Sequence, residues 1–309
     1  MVTVKSAIER SDVAVKRLLR QQLAVMEESA ADFLDGNDGE PLHNYRVALR
    51  RSRTLLDELP EVLPQRIEGR YSSLFAQIGA LTTPLRDLDV LLLNFERYRA
   101  LLPEGLQPTL QQLRGWIEMK HRQQRQPLIE YLQSADYRYL VRGWQTCLGS
   151  APPPYAAPAN AKRSLQELAN GCIWKLYRRI VRLGDSINQE SPATALHTLR
   201  KRCKRLRYLM EFFQPLYPEQ KIERLIAVLQ ALQDYLGAFQ DLQAHHIFFR
   251  SLRAELGEER QEAQCQQALS DLAEALEQHQ CRQRQRFQSC YRIFASDKQQ
   301  QRFKALFKP

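Results

Sequence analysis

Apolar residues recur at spacings of three and four along nearly the whole chain, and nowhere do they alternate in the two-residue period of a half-buried strand. The pattern predicts an all-α protein. Helices are expected at about residues 3–35, 42–59, 64–82, 85–101, 106–133 and 136–148, and again at 161–187, 192–214, 218–236, 238–256, 258–294 and 298–307. Between the two sets lies SAPPPYAAPAN, residues 150–160, whose prolines forbid helix and favour extended chain. Asp35-Gly36-Asn37-Asp38-Gly39 reads as a turn. Ser191-Pro192 reads as a helix start, with serine as the cap and proline in the first helical position.

The chain also repeats itself. Shifted by 154 residues, His43-Asn-Tyr-Arg46-Val-Ala-Leu-Arg50-Arg51-Ser-Arg53 falls on His197-Thr-Leu-Arg200-Lys-Arg-Cys-Lys204-Arg205-Leu-Arg207. The same shift carries Pro64 onto Pro218, Arg70 onto Arg224 and Asp87-Leu88 onto Asp241-Leu242 without a gap. Residues 1–309 are therefore expected to form one domain of two similar helical halves, 1–149 and 161–309, joined by the proline-rich linker at 150–160.

On a helical wheel, His43, Arg46, Arg50 and Arg53 fall on a stripe about 80° wide, opposite Tyr45, Leu49, Leu55, Leu56 and Leu59. In the second copy His197, Arg200, Lys204 and Arg207 share a stripe backed by Leu199, Cys203, Leu206, Leu209 and Met210. Each helix thus buries one face and presents four basic groups along about 15 Å on the other. Like charges at this spacing repel by a few tenths of a kcal/mol per neighbouring pair. Asp57 and Glu211, four residues beyond Arg53 and Arg207, could pair with one arginine each but cannot neutralise the row. An ordinary basic run is a solvated face; a duplicated one, nearly free of acids, favours a polyanion site, because the planar guanidinium can hold two phosphate oxygens. Arg51, Lys201 and Arg205, next to the stripe residues in sequence, are counted with them as candidate binding residues. Arg17, Arg20, Arg122, Arg125, Lys175, Arg178, Arg179, Arg182 and Arg284 are further candidates, each as readily a plain surface residue.

Charge strengthens this picture. Lys and Arg number 45 against 35 Asp and Glu, a formal net charge of +10, which attracts anionic partners without naming them. The most apolar run, Leu85 to Phe95, is short and carries Arg86, Asp87 and Asp89, so no membrane span is expected. The first residues are charged throughout, with no apolar stretch of a secretory signal. The six cysteines form no C-x-x-C pair and read as reduced thiols of a cytoplasmic protein.

Candidate chemistry is sparse. His43 and His197 lie among cations that would repel a metal ion. Asp87, Asp89 and Asp241 read as groups that orient arginines or cap helices. Cys203 has an apolar wheel position despite its basic neighbours, and the adjacent His245 and His246 point apart on a helix. G-x-x-x-x-G-K-S/T, G-x-G-x-x-G, H-E-x-x-H and G-x-S-x-G are all absent. No catalytic residue, cofactor or metal is expected.

At His43-x-x-Arg46-Val-Ala-Leu-Arg50-Arg51-x-Arg53 with Leu85-Arg86-Asp87-Leu88-Asp89-Val90, and at His197-x-x-Arg200-x-x-x-Lys204-Arg205-Leu-Arg207-Tyr208-x-x-Glu211 with Leu236-Gly237-x-x-Gln240-Asp241-Leu242, the sequence resembles the CHAD family, the conserved histidine α-helical domain. The resemblance implies two pseudo-symmetric four-helix bundles whose basic helices face a central cleft. It also implies binding of inorganic polyphosphate, in some members at polyphosphate granules. Carried over by motif, the ligand-facing residues would be His43, Arg46, Arg50, Arg53, His197, Arg200, Lys204 and Arg207. Gln240-Asp241 departs from Arg86-Asp87 of the first half, which weakens one half's charge. The E-x-E-x-K signature of the triphosphatase domain fused to some members is absent, so that activity is not implied. Two other readings remain open. A nucleic-acid binder would interleave exposed aromatics with its cations, for which only Tyr208 is placed. A phosphohydrolase would need a metal or a carboxylate base beside the phosphate.

Overall fold

The computed structural model describes residues 9–36, 39–150, 158–255 and 262–309. Among these the protein is all-α, with one isolated bridge and no strand. The helices are α1 (Ser11–Asp35), α2 (Glu40–Glu58), α3 (Gln65–Leu81), α4 (Thr83–Leu93), α5 (Phe95–Arg99), α6 (Gln107–Gln133) and α7 (Ala135–Gly149), then α8 (Leu165–Asp185), α9 (Ala193–Phe213), α10 (Glu219–Glu255), α11 (Glu262–Phe294) and α12 (Asp297–Phe307). The expected helix start at residue 3, Asn37-Asp38 of the expected turn, linker residues 151–157 and the expected break after residue 256 lie outside the described residues.

Local chemistry explains most boundaries. Ser134 and Ser164 cap α7 and α8, accepting from the backbone N–H of Tyr137 (3.1 Å) and Glu167 (3.2 Å). Proline stands in the first turn of α2, α4 and α6, where its missing N–H costs nothing.

Three expected boundaries are corrected. The helix expected over 85–101 breaks at Asn94, whose side-chain amide donates to the Val90 carbonyl at 2.8 Å and competes with the backbone ladder. The two helices expected over 218–236 and 238–256 are the single helix α10. Gly237 is tolerated inside it, whereas the equivalent Thr83 is followed by Pro84 and the chain there is split into α3 and α4. Ser191 does not cap α9: its hydroxyl accepts from the Asn188 N–H at 3.0 Å, and Pro192 occupies the cap position.

The expected apolar faces of α2 and α9 are buried. Tyr45, Leu49 and Leu55, and Leu199, Cys203, Leu206 and Met210, are all at most 2% exposed. The core has two clusters. One gathers side chains such as Leu19, Leu49, Phe75, Trp144, Ile173, Leu206, Leu229 and Phe303. The other packs Leu88, Phe95 and Ile117 against Phe249, Leu269 and Leu272. Both clusters draw on residues from either side of the linker.

The segments leading into α1 and α8 pair with each other. Arg10 and Ser164 form an antiparallel bridge, Ser11 N–H donates to the Arg163 carbonyl, and Leu165 N–H donates to the Glu9 carbonyl, both at 3.1 Å. Under the 154-residue shift these contacts exchange into one another.

Candidate polyanion-binding cleft

Helices α2 and α9 pack together, and beside their buried faces the stripe residues are half-buried, except His43, which is exposed. Arg200, Lys204 and Arg207 of α9 line a cavity of 410 Å³, closed by α10 at Gly237 and Asp241 and reached by Arg97. Arg50 approaches from α2, close enough to act electrostatically on both Arg200 and Lys204.

The cost of this crowding is visible in the titrating groups. Burial, then Arg200, Arg50 and Arg207, lower the Lys204 ammonium to about 7. Burial and the neighbouring Arg50 also lower the Arg200 guanidinium. His43 keeps solvent contact, yet partial burial and then Arg86, Arg50, Lys204 and Arg46 hold its pKa down to about 4, so its ring is neutral at pH 7. The buried Nε atoms of Arg50, Arg53 and Arg200 have no hydrogen-bond partner among the described residues. A buried donor left unmet costs about 1–3 kcal/mol.

Asp87 and Asp241, 154 residues apart, both face this cluster without forming a direct ion pair with a described residue. Partial desolvation raises both carboxyls. Arg46 opposes it at Asp87, and Arg200, Lys204 and Arg86 oppose it at Asp241, while Asp241 pushes Asp87 further up.

The remaining stripe residues are more committed. Arg46 donates to the Gly79 carbonyl (2.9 Å) and to the hydroxyls of Thr82 and Thr83, closing the C-terminal end of α3. Its pKa falls to about 10, chiefly through burial and then Arg50. Arg207 pairs with Glu211 at 3.5 Å. His197 holds Gln240: Nδ1 donates to Oε1 at 2.7 Å, so its Nε2 can donate to an oxyanion only when the ring is protonated. His43 lies apart in a 510 Å³ pocket with Arg86, Asp89 and His121, where Asp89 bonds His121 at 2.7 Å and pairs with Arg86 at 3.5 Å.

Several other candidates are engaged by groups of the protein itself. Arg51 and Arg205 meet carboxylates across the α2–α9 joint. Arg51 pairs with Glu211 at 2.8 Å and lies 4.5 Å over the Phe212 ring, while Arg205 pairs with Asp57 (3.1 Å) and Glu58 (2.8 Å). Asp57 thus engages Arg205 and Ser72 in place of the expected Arg53. Arg17 pairs with Glu9, and Arg20 donates to the Leu148 carbonyl. Arg125 holds the carbonyls of Phe33 and Gly36 at the end of α1, and Arg284 those of Asn188, Gln189 and Ser191 after α8. These carbonyls end a helix or follow one, and the guanidinium fork fits them. Lys201, Lys175, Arg178 and Arg122 are exposed, and Arg179 and Arg182 line a separate groove. Tyr208 is 3% exposed, so it offers no stacking platform. Cys203 is fully buried with its thiol pushed up, and His245 is buried against Tyr98 while His246 donates to the Ala273 carbonyl.

Residue reasoning alone passed over Arg86 and Arg97. Arg86 carried a signal, its place beside Asp87 in the repeat; Arg97 carried none, and only the fold brings it to the cavity.

Comparison with known proteins agrees with this architecture. The crystal structure of the CHAD domain from the plant Ricinus communis is similar, with a TM-score of 0.78 at 20% identity over 96% of this chain and 95% of that one. PptA from Streptomyces chartreusis is similar at a TM-score of 0.68 and 14% identity, over 92% of this chain and 100% of that one. No curated protein matches the chain. The CHAD domain model matches residues 17–250, about three quarters of the sequence, and the chain therefore belongs to the CHAD domain family.

Proposed function

We propose that the cleft binds inorganic polyphosphate and holds it without cleaving it. The observation that carries this reading is the convergence of Arg50, Arg200 and Lys204: burial and neighbouring cations lower the last two, and the buried guanidinium Nε atoms of Arg50 and Arg200 lack partners among the described residues. A row of phosphates would supply the missing acceptors and the missing counter-charge together. No base-reading group is needed for such a polymer, and the burial of Tyr208 removes the aromatic that a single-stranded nucleic acid would stack on. Against a phosphohydrolase stands the setting of Asp87 and Asp241, which face cations in place of a convergent donor set. No group of three or more His, Cys, Asp or Glu side chains among the described residues is arranged to hold a metal. No helix among the described residues is long and apolar enough to cross a membrane. We place the protein in the cytoplasm, at polyphosphate granules where these exist.

The test is competition. Labelled polyphosphate bound to the full chain is challenged with unlabelled polyphosphate or single-stranded DNA of equal charge. Polyphosphate should compete far better; equal competition would favour the nucleic-acid reading. Orthophosphate release during incubation with divalent metals, lost on changing Asp87 or Asp241 to Asn, would establish the hydrolase instead.

A further inference from the structure

A second basic concavity lies on the far side of α9. Counting about 100° per residue, Lys204 and Arg207 lie within about 40° of Arg200, whereas Arg205 and Arg202 lie about 140° and 200° round the helix. There Arg202 and Arg205 meet Arg179 and Arg182 of α8 around a groove of 660 Å³, with Glu58 as its carboxylate.

Two of the four guanidiniums are positioned by the protein. Arg205 is held by Asp57 and Glu58, and Arg202 donates to the Arg179 carbonyl at 3.2 Å. The other two, Arg179 and Arg182, form no ion pair with a described residue. Arg182 sits in the last turn of α8, where a cation is stabilised by the helix dipole. Arg179, nearer the middle of the helix and exposed, has no such reason to be basic.

Duplication does not account for the cluster. Under the 154-residue shift Arg179, Arg182 and Arg202 fall on Val25, Glu28 and Ala48, so the matching surface of the first half lacks these cations. Arg205 alone has a basic counterpart, Arg51, and both are committed to the α2–α9 joint.

We propose that this groove is a second phosphoanion site, separate from the cleft, that takes a short stretch of inorganic phosphate chain. Guanidinium forks suit unesterified phosphates bearing several charges. The apolar walls, Leu176 and Leu183, offer no aromatic face for a nucleobase. A chain long enough to pass round α9 would engage both sites, and its affinity would exceed that for either alone through effective concentration.

The experiment is calorimetric titration of the full chain with tripolyphosphate at low salt. Two binding events are expected. Arg179→Gln with Arg182→Gln should weaken one at least about tenfold and leave the other unchanged. Arg50→Gln with Lys204→Gln should do the converse. Circular dichroism and melting temperature should stay at wild-type values for the groove pair, since both side chains are solvent-facing. The outcomes separate this proposal from the reading of the cleft. If the cleft variant abolishes all binding and the groove variant none, the groove is not a site and the cleft reading stands. If the groove variant alone loses binding, the groove stands and the cleft reading falls. Equal affinity of the groove for an oligothymidylate would overturn the assignment to inorganic phosphate.

Discussion

Arg51 on α2 pairs with Glu211 on α9 at 2.8 Å, and Arg205 on α9 pairs with Asp57 on α2 at 3.1 Å. The second contact is the first with its partners exchanged, because Arg205 and Glu211 stand 154 residues beyond Arg51 and Asp57. The Arg10–Ser164 bridge obeys the same exchange. Such reciprocity is what a two-fold relation between two copies of one unit demands. We therefore expect residues 9–149 and 161–309 to superpose after a rotation near 180°, as crystallography would show. Halves related by a simple translation, or of unlike topology, would refute it.

The same joint gives a stability test. Arg51 and Arg205 are partly exposed, so each pair contributes about 0–1 kcal/mol, with something added by the stacking of Arg51 on Phe212. Changing both to Gln should lower the melting temperature by a few degrees. Polyphosphate affinity in the cleft should hold. A loss of affinity with unchanged melting would return these residues to the ligand.

Arg50 and Lys204 should behave in the opposite way. Their replacement by Gln nearly conserves helix propensity and removes two repelling charges from equivalent places. Weaker polyphosphate binding is expected, with the melting temperature unchanged or raised. The same double change at Leu49 and Cys203, one residue earlier and buried at 1% and 0% exposure, should destabilise the fold by placing polar groups in the core. A clear thermal loss for the Arg50 and Lys204 pair, with affinity intact, would overturn the site.

Lys204 makes binding depend on pH. Its pKa is lowered from 10.5 to about 7, so between those values the unfolded chain binds the proton that the native chain does not. Stability of the unliganded protein should rise with pH across that window from this group. A bound polyanion favours the ammonium, so binding takes up a proton. Affinity should fall by up to about tenfold per pH unit above 7. Lys204→Arg, charged throughout, should flatten the profile, and a wild-type profile already flat from pH 7 to 9 would contradict the geometry.

Salt gives an independent count of the cations engaged. At a slope of about −0.7 per neutralised charge, Arg50, Arg53, Arg200 and Lys204 together predict about −3 for log affinity against log salt. Replacing Arg50 and Lys204 by Gln should reduce that slope by about half. Affinity nearly independent of salt would be incompatible with a multi-cation cleft.

Periodicity alone determined the helical class and which faces of α2 and α9 are buried, because these depend on the order of apolar residues along one helix at a time. Leu49, Cys203 and Met210 could be placed in the core from their neighbours in sequence. The family resemblance drew on the same motifs. Which cations stay available was decided only in three dimensions. Arg46 and Arg50 share a stripe, yet one meets the carbonyl end of α3 while the other meets Arg200 and Lys204. Arg51 and Arg205 belong to the two copies of the basic run, and each meets a carboxylate on the opposite helix. A helical wheel fixes the direction in which a side chain leaves its own helix. What it meets there, a carbonyl, a carboxylate or another cation, is set by which helix packs alongside, and so by long-range contacts absent from any local pattern.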